Sequence, residues 1–92
     1  MRLLRWAPPA LADLARLGDF VNVRDTDAAV RVVETIRSSV RRLRDFPESG
    51  APIGYGGIRK ISVPRYRYIV FYHLVAGDVE VLRVRHAAEG WR

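Results

Sequence analysis

Tyr-Arg-Tyr-Ile-Val-Phe-Tyr-His-Leu-Val (66–75), Ala-Gly-Asp (76–78) and Val-Glu-Val-Leu-Arg-Val-Arg-His (79–86) form the stretch that decides the fold. The two outer segments are rich in aromatic and β-branched residues, which suit a pleated, packed surface. The three residues between them favour a tight turn, because glycine tolerates positive φ and aspartate hydrogen-bonds its own backbone. The stretch therefore predicts a β-hairpin whose far end carries Arg83, Arg85 and His86.

Alternation along the last predicted strand sorts its side chains into two faces. Leu82 and Val84 share one face, which we expect to pack against helices. Arg83 and Arg85 then lie on the opposite, open face.

The preceding strand is largely apolar on both faces. One set contains Tyr68, Val70 and Tyr72, and the other contains Arg67, Ile69, Phe71 and His73. This pattern is typical of a central strand that is covered on both sides. Because a chain of 92 residues has little of its own left for the second side, we infer that a partner covers it.

Length and composition indicate one globular domain over residues 1–92. Hydrophobic residues make up 49 % and charged residues 28 % of the chain, which excludes a disordered protein. No apolar run reaches the length of a membrane span. Pro8 and Pro9 interrupt the N-terminus before a signal-peptide core forms, so we expect a mature chain that begins near Met1 and stays in the cytoplasm.

The basic charge of the chain points to an acidic partner, and its cysteine and histidine content argues against a metal site. The sequence has no cysteine and two histidines, without the spacing of a zinc site, so we expect neither metal nor cofactor. The net charge of +6 comes almost wholly from arginine, since Lys60 is the only lysine. Arginine suits phosphate and carboxylate groups, so the partner is a nucleic acid or an acidic protein. A merely solvated basic surface is the alternative.

Two helical segments precede the hairpin. From Pro9 onward, apolar residues recur at helical spacing through Leu11, Leu14, Leu17 and Val21. Asp13 is expected near the positive end of this helix dipole. The second segment has an uninterrupted apolar stripe, with arginines off the stripe facing water. The stripe consists of Ala29, Val33, Ile36, Val40 and Leu43.

The remaining segments complete the order of elements. Residues 2–6 predict an opening strand, and Ile58–Val63 predicts a strand that Pro64 ends. The glycine-rich segment 53–57 lacks the lysine and the following helix of a phosphate cradle, so it reads as a connector. The fold class is therefore α+β with the order β-α-α-β-β-β. A helical hairpin packs on one face of a small, mainly antiparallel sheet.

The motifs in this order resemble the ParE branch of the RelE/ParE toxin superfamily of type II toxin–antitoxin modules. The resemblance covers nearly the whole chain and implies a small cytoplasmic bacterial toxin, neutralised by an antitoxin encoded beside it. The matching pieces are Trp6-Ala7-Pro8, Ala12-Asp13-Leu14, residues 43–50, residues 66–72, residues 81–86 and Trp91.

The resemblance leaves two functions of different classes. ParE-like toxins bind and poison DNA gyrase, whereas RelE-like toxins cleave messenger RNA on the ribosome. The residues that match a cleavage site are Lys60, Arg67, Arg85 and His86. Ala87 stands where RelE-like enzymes have a basic residue, and Trp91 cannot exchange a proton as their tail tyrosine does. We therefore favour gyrase inhibition, in which no residue is catalytic.

The resemblance also implies two sets of contacts. The residues expected to bind the target are Arg83, Arg85, His86, Trp91 and Arg92. The cognate antitoxin is expected to be a ParD-like, acidic ribbon-helix-helix protein, and operator DNA is expected to be bound only through the toxin–antitoxin complex. The residues expected to contact the antitoxin are Leu17, Phe20, Val21, Ile69 and Phe71. A detoxified relative that only binds an antitoxin or operator DNA is the third hypothesis.

Overall fold

A computed structural model describes residues 2–21, 26–54 and 56–88 of the chain. Within these ranges two helices pack on a five-stranded sheet, which confirms the predicted α+β class. The elements in chain order are β1 (Leu4–Trp6), α1 (Pro8–Val21), α2 (Thr26–Arg41), a 3-10 turn (Arg42–Arg44), β2 (Ala51–Pro52), β3 (Arg59–Val63), β4 (Tyr68–Val75) and β5 (Asp78–His86).

The sheet has the strand order β1-β5-β4-β3-β2. β1 runs parallel to β5, and every other neighbouring pair is antiparallel. β4 is the central strand, as its two apolar faces predicted. β2 was not predicted, because a strand of two residues is too short to show alternation.

The apolar stripe of α2 is buried against the sheet, which accounts for the position of this helix. Ala29, Ile36 and Val40 of the predicted stripe are buried, and Leu43 continues the buried row in the 3-10 turn. Val32 is buried as well, whereas the predicted Val33 is half-buried against the core. The predicted polar face is also confirmed, because it is exposed to water. Its members are Arg31, Glu34, Arg37, Arg41 and Arg44.

The buried face of α1 differs from the prediction at Leu11. Leu14 and Leu17 lie in the core, but Leu11 is 51 % exposed, because Ala10 and Asp13 take the buried positions one turn apart. Leu17 is only 6 % exposed in this chain, and the expectation that it contacts an antitoxin stays a prediction. The side chains of Phe20 and Val21 lie outside the described residues.

A β-bulge in the hairpin changes the faces of β5. Tyr72 pairs with Val81 and Phe71 pairs with Arg83, so Leu82 is the extra residue on β5. The buried residues are Val79, Val81 and Val84. The prediction that Leu82 and Val84 alternate on the helix face was therefore wrong for Leu82, because strict alternation fails at a bulge.

Tyr72 connects the centre of the sheet to the loop before β2. It is fully buried, and its hydroxyl donates a hydrogen bond to the carbonyl of Pro47 across 2.7 Å. The N–H of Gly50 donates to the same hydroxyl across 2.9 Å. A Cβ on Gly50 would lie 2.6 Å from that oxygen, so the close approach requires glycine.

Among the described helices, none is long and apolar enough to cross a membrane.

Candidate functional site

The β3–β4 turn and the end of β5 meet at one end of the sheet. The N–H of Ala87 donates to the carbonyl of Arg67 across 2.8 Å, which ties the residues after β5 to this turn. Arg65 and Arg67 both have positive φ, 75° and 60°, which L-residues adopt rarely. The turn therefore fixes two arginines beside the end of the hairpin.

A shallow cleft of about 410 Å³ opens at this end of the sheet. Its lining residues are Ser62, Val63, Arg65, Arg67, Tyr68, Ile69 and Ala87. Sequence reasoning singled out Arg67 but missed Arg65. The available signal was that Arg65 follows Pro64 in the same turn, at the end of the sheet to which β5 delivers its last residues.

Lys60, Phe71 and Arg83 occupy one row across the three central strands, since Phe71 pairs with both of the others. Neighbouring strands are about 4.8 Å apart, so the Cα atoms of Lys60 and Arg83 are about 10 Å apart. Arg85 pairs with Ile69 in the next row toward the cleft. The sheet thus places Lys60 and Arg85 on the face that the helices do not cover.

His86 lies on the other face of the sheet. It pairs with Tyr68, which packs against the core, and the two rings meet edge to face with centroids 5.0 Å apart. The N–H of Ala88 donates to His86 Nδ1 across 3.1 Å. Arg85 and His86 are consecutive in a strand, so their side chains point to opposite faces. The residues matched to a cleavage site are therefore divided between two faces.

The strand position of Arg83 is on the open face, as predicted, but its side chain reaches around the edge of the sheet to α1. Its Nε and a terminal nitrogen donate to the two carboxylate oxygens of Asp13, across 2.8 and 3.0 Å. The N–H of Val84 donates to the same carboxylate across 2.9 Å. β1 pairs with β5 only up to Val81. Beyond that point β5 has no neighbouring strand on this edge, and Asp13 of α1 accepts the hydrogen bond from the N–H of Val84 instead.

Asp13 is the buried charged residue of the described chain, with 4 % exposure. Burial alone would raise the pKa of its carboxyl group. The hydrogen bonds from Arg83 and from the N–H of Val84, with the charges of Arg83 and Arg16, outweigh burial and lower this pKa below its ordinary value. The carboxylate is thus ionised at neutral pH and holds Arg83 in one orientation.

Sequence reasoning missed this role of Asp13. It assigned the carboxylate to the helix dipole, but α1 has no acidic residue in its first turn. The signal was the position of Asp13 between Ala10 and Leu17, on the buried side of the helix. A carboxylate at such a position requires a buried donor, and arginine in β5 was available.

Two of the expected target contacts, Trp91 and Arg92, lie outside the described residues. Of the others, Arg85 and His86 are half-buried at the end of β5. In the described part of the chain, no three His, Cys, Asp or Glu side chains come together as a metal site.

A family model described as the ParE toxin of the type II toxin–antitoxin system parDE matches residues 4–91. The protein called "Putative toxin Y4kP" from Sinorhizobium fredii is 36 % identical over 88 residues, 96 % of this chain and 91 % of that protein. Toxin RelE2 from Caulobacter vibrioides is 30 % identical over 83 residues, which cover 90 % of this chain and 92 % of that one.

Solved structures of toxin–antitoxin systems share the fold. A chain of the chromosomal ParDE system from P. aeruginosa superposes with a TM-score of 0.82 at 24 % identity, covering 94 % of this chain and 96 % of that one. A chain of the intact E. coli RelBE complex superposes with a TM-score of 0.71 at 19 % identity, covering 97 % and 100 %. These superpositions establish the shared fold.

Proposed function

The chain belongs to the ParE toxin family of type II toxin–antitoxin systems, and we propose that it acts by binding and inhibiting DNA gyrase. In this proposal no residue of the chain makes or breaks a bond. The division of the cleavage-type residues between two faces of the sheet is the observation that carries it.

RNA cleavage by attack of the 2′-hydroxyl requires a base, an acid and cations that converge on one phosphate. Lys60 and Arg85 lie on the open face, whereas the ring of His86 packs against Tyr68 on the other. Ala87 and Trp91 also stand where a cleavage enzyme needs groups that bind phosphate or exchange protons. These features favour inhibition by binding over catalysis.

The end of β5 and the tail after it are the proposed gyrase contact. Interfaces gain most of their affinity from a few aromatic and arginine side chains. Arg85 and His86 lie at this end beside the ordered Arg83, and Trp91 follows five residues after His86 in the chain. An aromatic residue that follows several cations closely in sequence is the chemistry we propose for this contact.

The proposed neutralising partner is an acidic, ParD-like antitoxin with a ribbon-helix-helix DNA-binding part, and operator recognition belongs to that partner. The net charge of +6 favours an acidic chain. Ile69 and Phe71 are half-buried on the sheet face that the helices leave uncovered, which suits a segment that folds on binding. Such a toxin acts in the cytoplasm, where its target resides.

A supercoiling assay on matched variants tests the proposal. We expect Trp91→Ala to weaken gyrase inhibition at least tenfold, since aromatic hot spots contribute about 2 kcal/mol or more. Phe46→Ala is the matched control, because Phe46 is an aromatic residue that is 65 % exposed in the loop after the 3-10 turn. Equal potency of the two variants would contradict the proposed contact surface.

Ribosome-dependent cleavage of messenger RNA is the second candidate. The observation that favours it is the presence of Lys60 and Arg85 on the same open face. Primer extension on translated messages distinguishes the two functions, because an endoribonuclease leaves cuts at defined positions and a gyrase inhibitor leaves none.

A further inference from the structure

A cluster of arginines lies away from the proposed gyrase contact, between β1 and the C-terminal half of α2. Arg2, Arg37, Arg41 and Arg44 line one open cleft of about 350 Å³, and its other lining residues are Leu3, Leu4 and Trp6. We propose that this cleft binds the phosphate backbone of duplex DNA, without reading its sequence.

The spacing of three of these arginines fits a row of phosphates. Arg37, Arg41 and Arg44 follow one another at steps of four and three residues, so they form one stripe along α2 and the 3-10 turn. At a helical rise of about 1.5 Å per residue the stripe is about 10 Å long. Phosphates along one strand of B-DNA rise by about 3.4 Å each along the axis and wind around it, so their separation is larger than this rise. A stripe of this length, with its long arginine side chains, can reach about three of them.

The positive charge of the cleft is not neutralised by the described part of the chain. Arg37, Arg41 and Arg44 form no ion pair with any described residue. Glu34 and Asp45 flank the stripe in sequence, but neither lines the cleft.

Arg2 adds a charge whose position is fixed. Its side chain donates to the carbonyls of Gly77 and Arg44, across 2.6 and 2.7 Å. Asp78, a carboxylate beside β1, is already used, since it accepts from the N–H of Leu3 and pairs with Arg5. The cleft therefore presents four cations without a lining carboxylate.

The character of the cleft favours duplex DNA over a peptide or a single strand. A peptide partner needs apolar anchors, and single strands need aromatic rings on which bases stack. Leu4 and Trp6 pack against the protein's own core, which leaves Leu3 as the exposed apolar residue of the lining. What remains is charge, and charge alone is sufficient for contact with a phosphate backbone.

This inference is independent of gyrase, because it concerns the toxin and DNA alone. It adds direct contacts between toxin and DNA to the expectation that operator DNA is bound only through the toxin–antitoxin complex. The antitoxin reads the operator sequence in that scheme, and the arginine cleft adds contacts that any duplex provides.

The test measures binding of the purified full chain to a fluorescent 30-base-pair duplex by anisotropy, at several salt concentrations. Four phosphate contacts, one for each arginine of the cleft, predict a slope of about −3.6 for log K against log salt, or about a 150-fold loss of affinity between 50 and 200 mM salt. We expect the triple variant Arg37→Gln, Arg41→Gln, Arg44→Gln to reduce the affinity at least tenfold at 100 mM salt and to flatten the slope to below about 1. Each single variant should reduce the magnitude of the slope by about 0.9. The single variants therefore test the proposal even if the triple variant does not fold.

The matched control is the triple variant Arg31→Gln, Arg42→Gln, Arg65→Gln, which removes the same charge from exposed positions outside the cleft. We expect it to keep at least half of the affinity and the full slope. Equal losses in the two triple variants would overturn the proposal, because net charge alone would then explain the binding. Undetectable binding at 50 mM salt, or a polyglutamate peptide that competes more effectively than unlabelled duplex at the same charge concentration, would also overturn it.

Discussion

Asp13→Asn is expected to destabilise the fold, because three donors on β5 converge on the Asp13 carboxylate. Arg83 donates to both of its oxygens, and the N–H of Val84 adds a third bond. Asparagine has nearly the same size, so packing changes little, but its amide group has one acceptor oxygen and turns two hydrogens toward donors. The variant therefore isolates the electrostatic role of this residue.

We expect Asp13→Asn to lower the free energy of unfolding by about 2–3 kcal/mol. Hydrogen bonds to charged groups contribute about 1.5–3 kcal/mol, and removal of one partner from a buried ion pair costs about 3–5 kcal/mol. The side chain of Arg83 is 41 % exposed, so water solvates the guanidinium in the variant and the cost falls below the range for buried pairs. For a domain of this size the melting temperature should fall by about 10–20 °C.

The pH dependence of this effect has a fixed sign. The pKa of Asp13 is lowered in the folded protein. At acidic pH the Asp13 side chain therefore binds fewer protons in the folded protein than in the unfolded chain. Its stabilising contribution is fully present above pH values near 4, the ordinary range of an aspartate pKa, and is lost as pH falls through the lower folded value. The stability difference between wild type and Asp13→Asn should therefore shrink below pH 4.

Urea unfolding followed by circular dichroism, from pH 7 down to pH 2.5, measures both quantities. Asp45→Asn is the matched control, because Asp45 is exposed and should change stability by less than about 0.5 kcal/mol. A variant as stable as wild type at pH 7, or a difference that persists unchanged at pH 2.5, would refute the assignment of Asp13.

Three further predictions concern the core and the uncovered face of the sheet. Tyr72→Phe leaves the N–H of Gly50 without its buried acceptor, so we expect a loss of about 1–3 kcal/mol in urea unfolding. Gly50→Ala places a Cβ against the ring and hydroxyl of Tyr72, with an expected loss of about 1–3 kcal/mol; unchanged stability would show that the loop relaxes freely. Ile69→Ser with Phe71→Ser should weaken antitoxin binding at least tenfold in calorimetry, whereas Val30→Ser, exposed on α2, should not.

The sequence predicted the longer elements, in which apolar residues recur at a regular spacing. α2 was predictable because five apolar residues follow one helical stripe, and β4 was predictable as a central strand because both of its faces are apolar. The two-residue β2 has no period to read. Periodicity reports long elements well for this reason and short ones poorly.

The site was less predictable, because it depends on one extra residue and one distant partner. The bulge at Leu82 reverses the faces of β5, and no local signal in Val-Leu-Arg-Val announces it. The ion pair between Asp13 and Arg83 joins residues 70 positions apart, which a reading of neighbours along the chain does not connect. Both features decide where the cations at the end of β5 point.

Purified DNA gyrase provides the most direct test of the central claim, in a supercoiling reaction with and without micromolar toxin. The account predicts that the toxin blocks supercoiling or traps cleaved DNA, and that an equimolar amount of the cognate antitoxin restores activity. Unaffected supercoiling at micromolar toxin, together with defined cuts in translated messages, would contradict it.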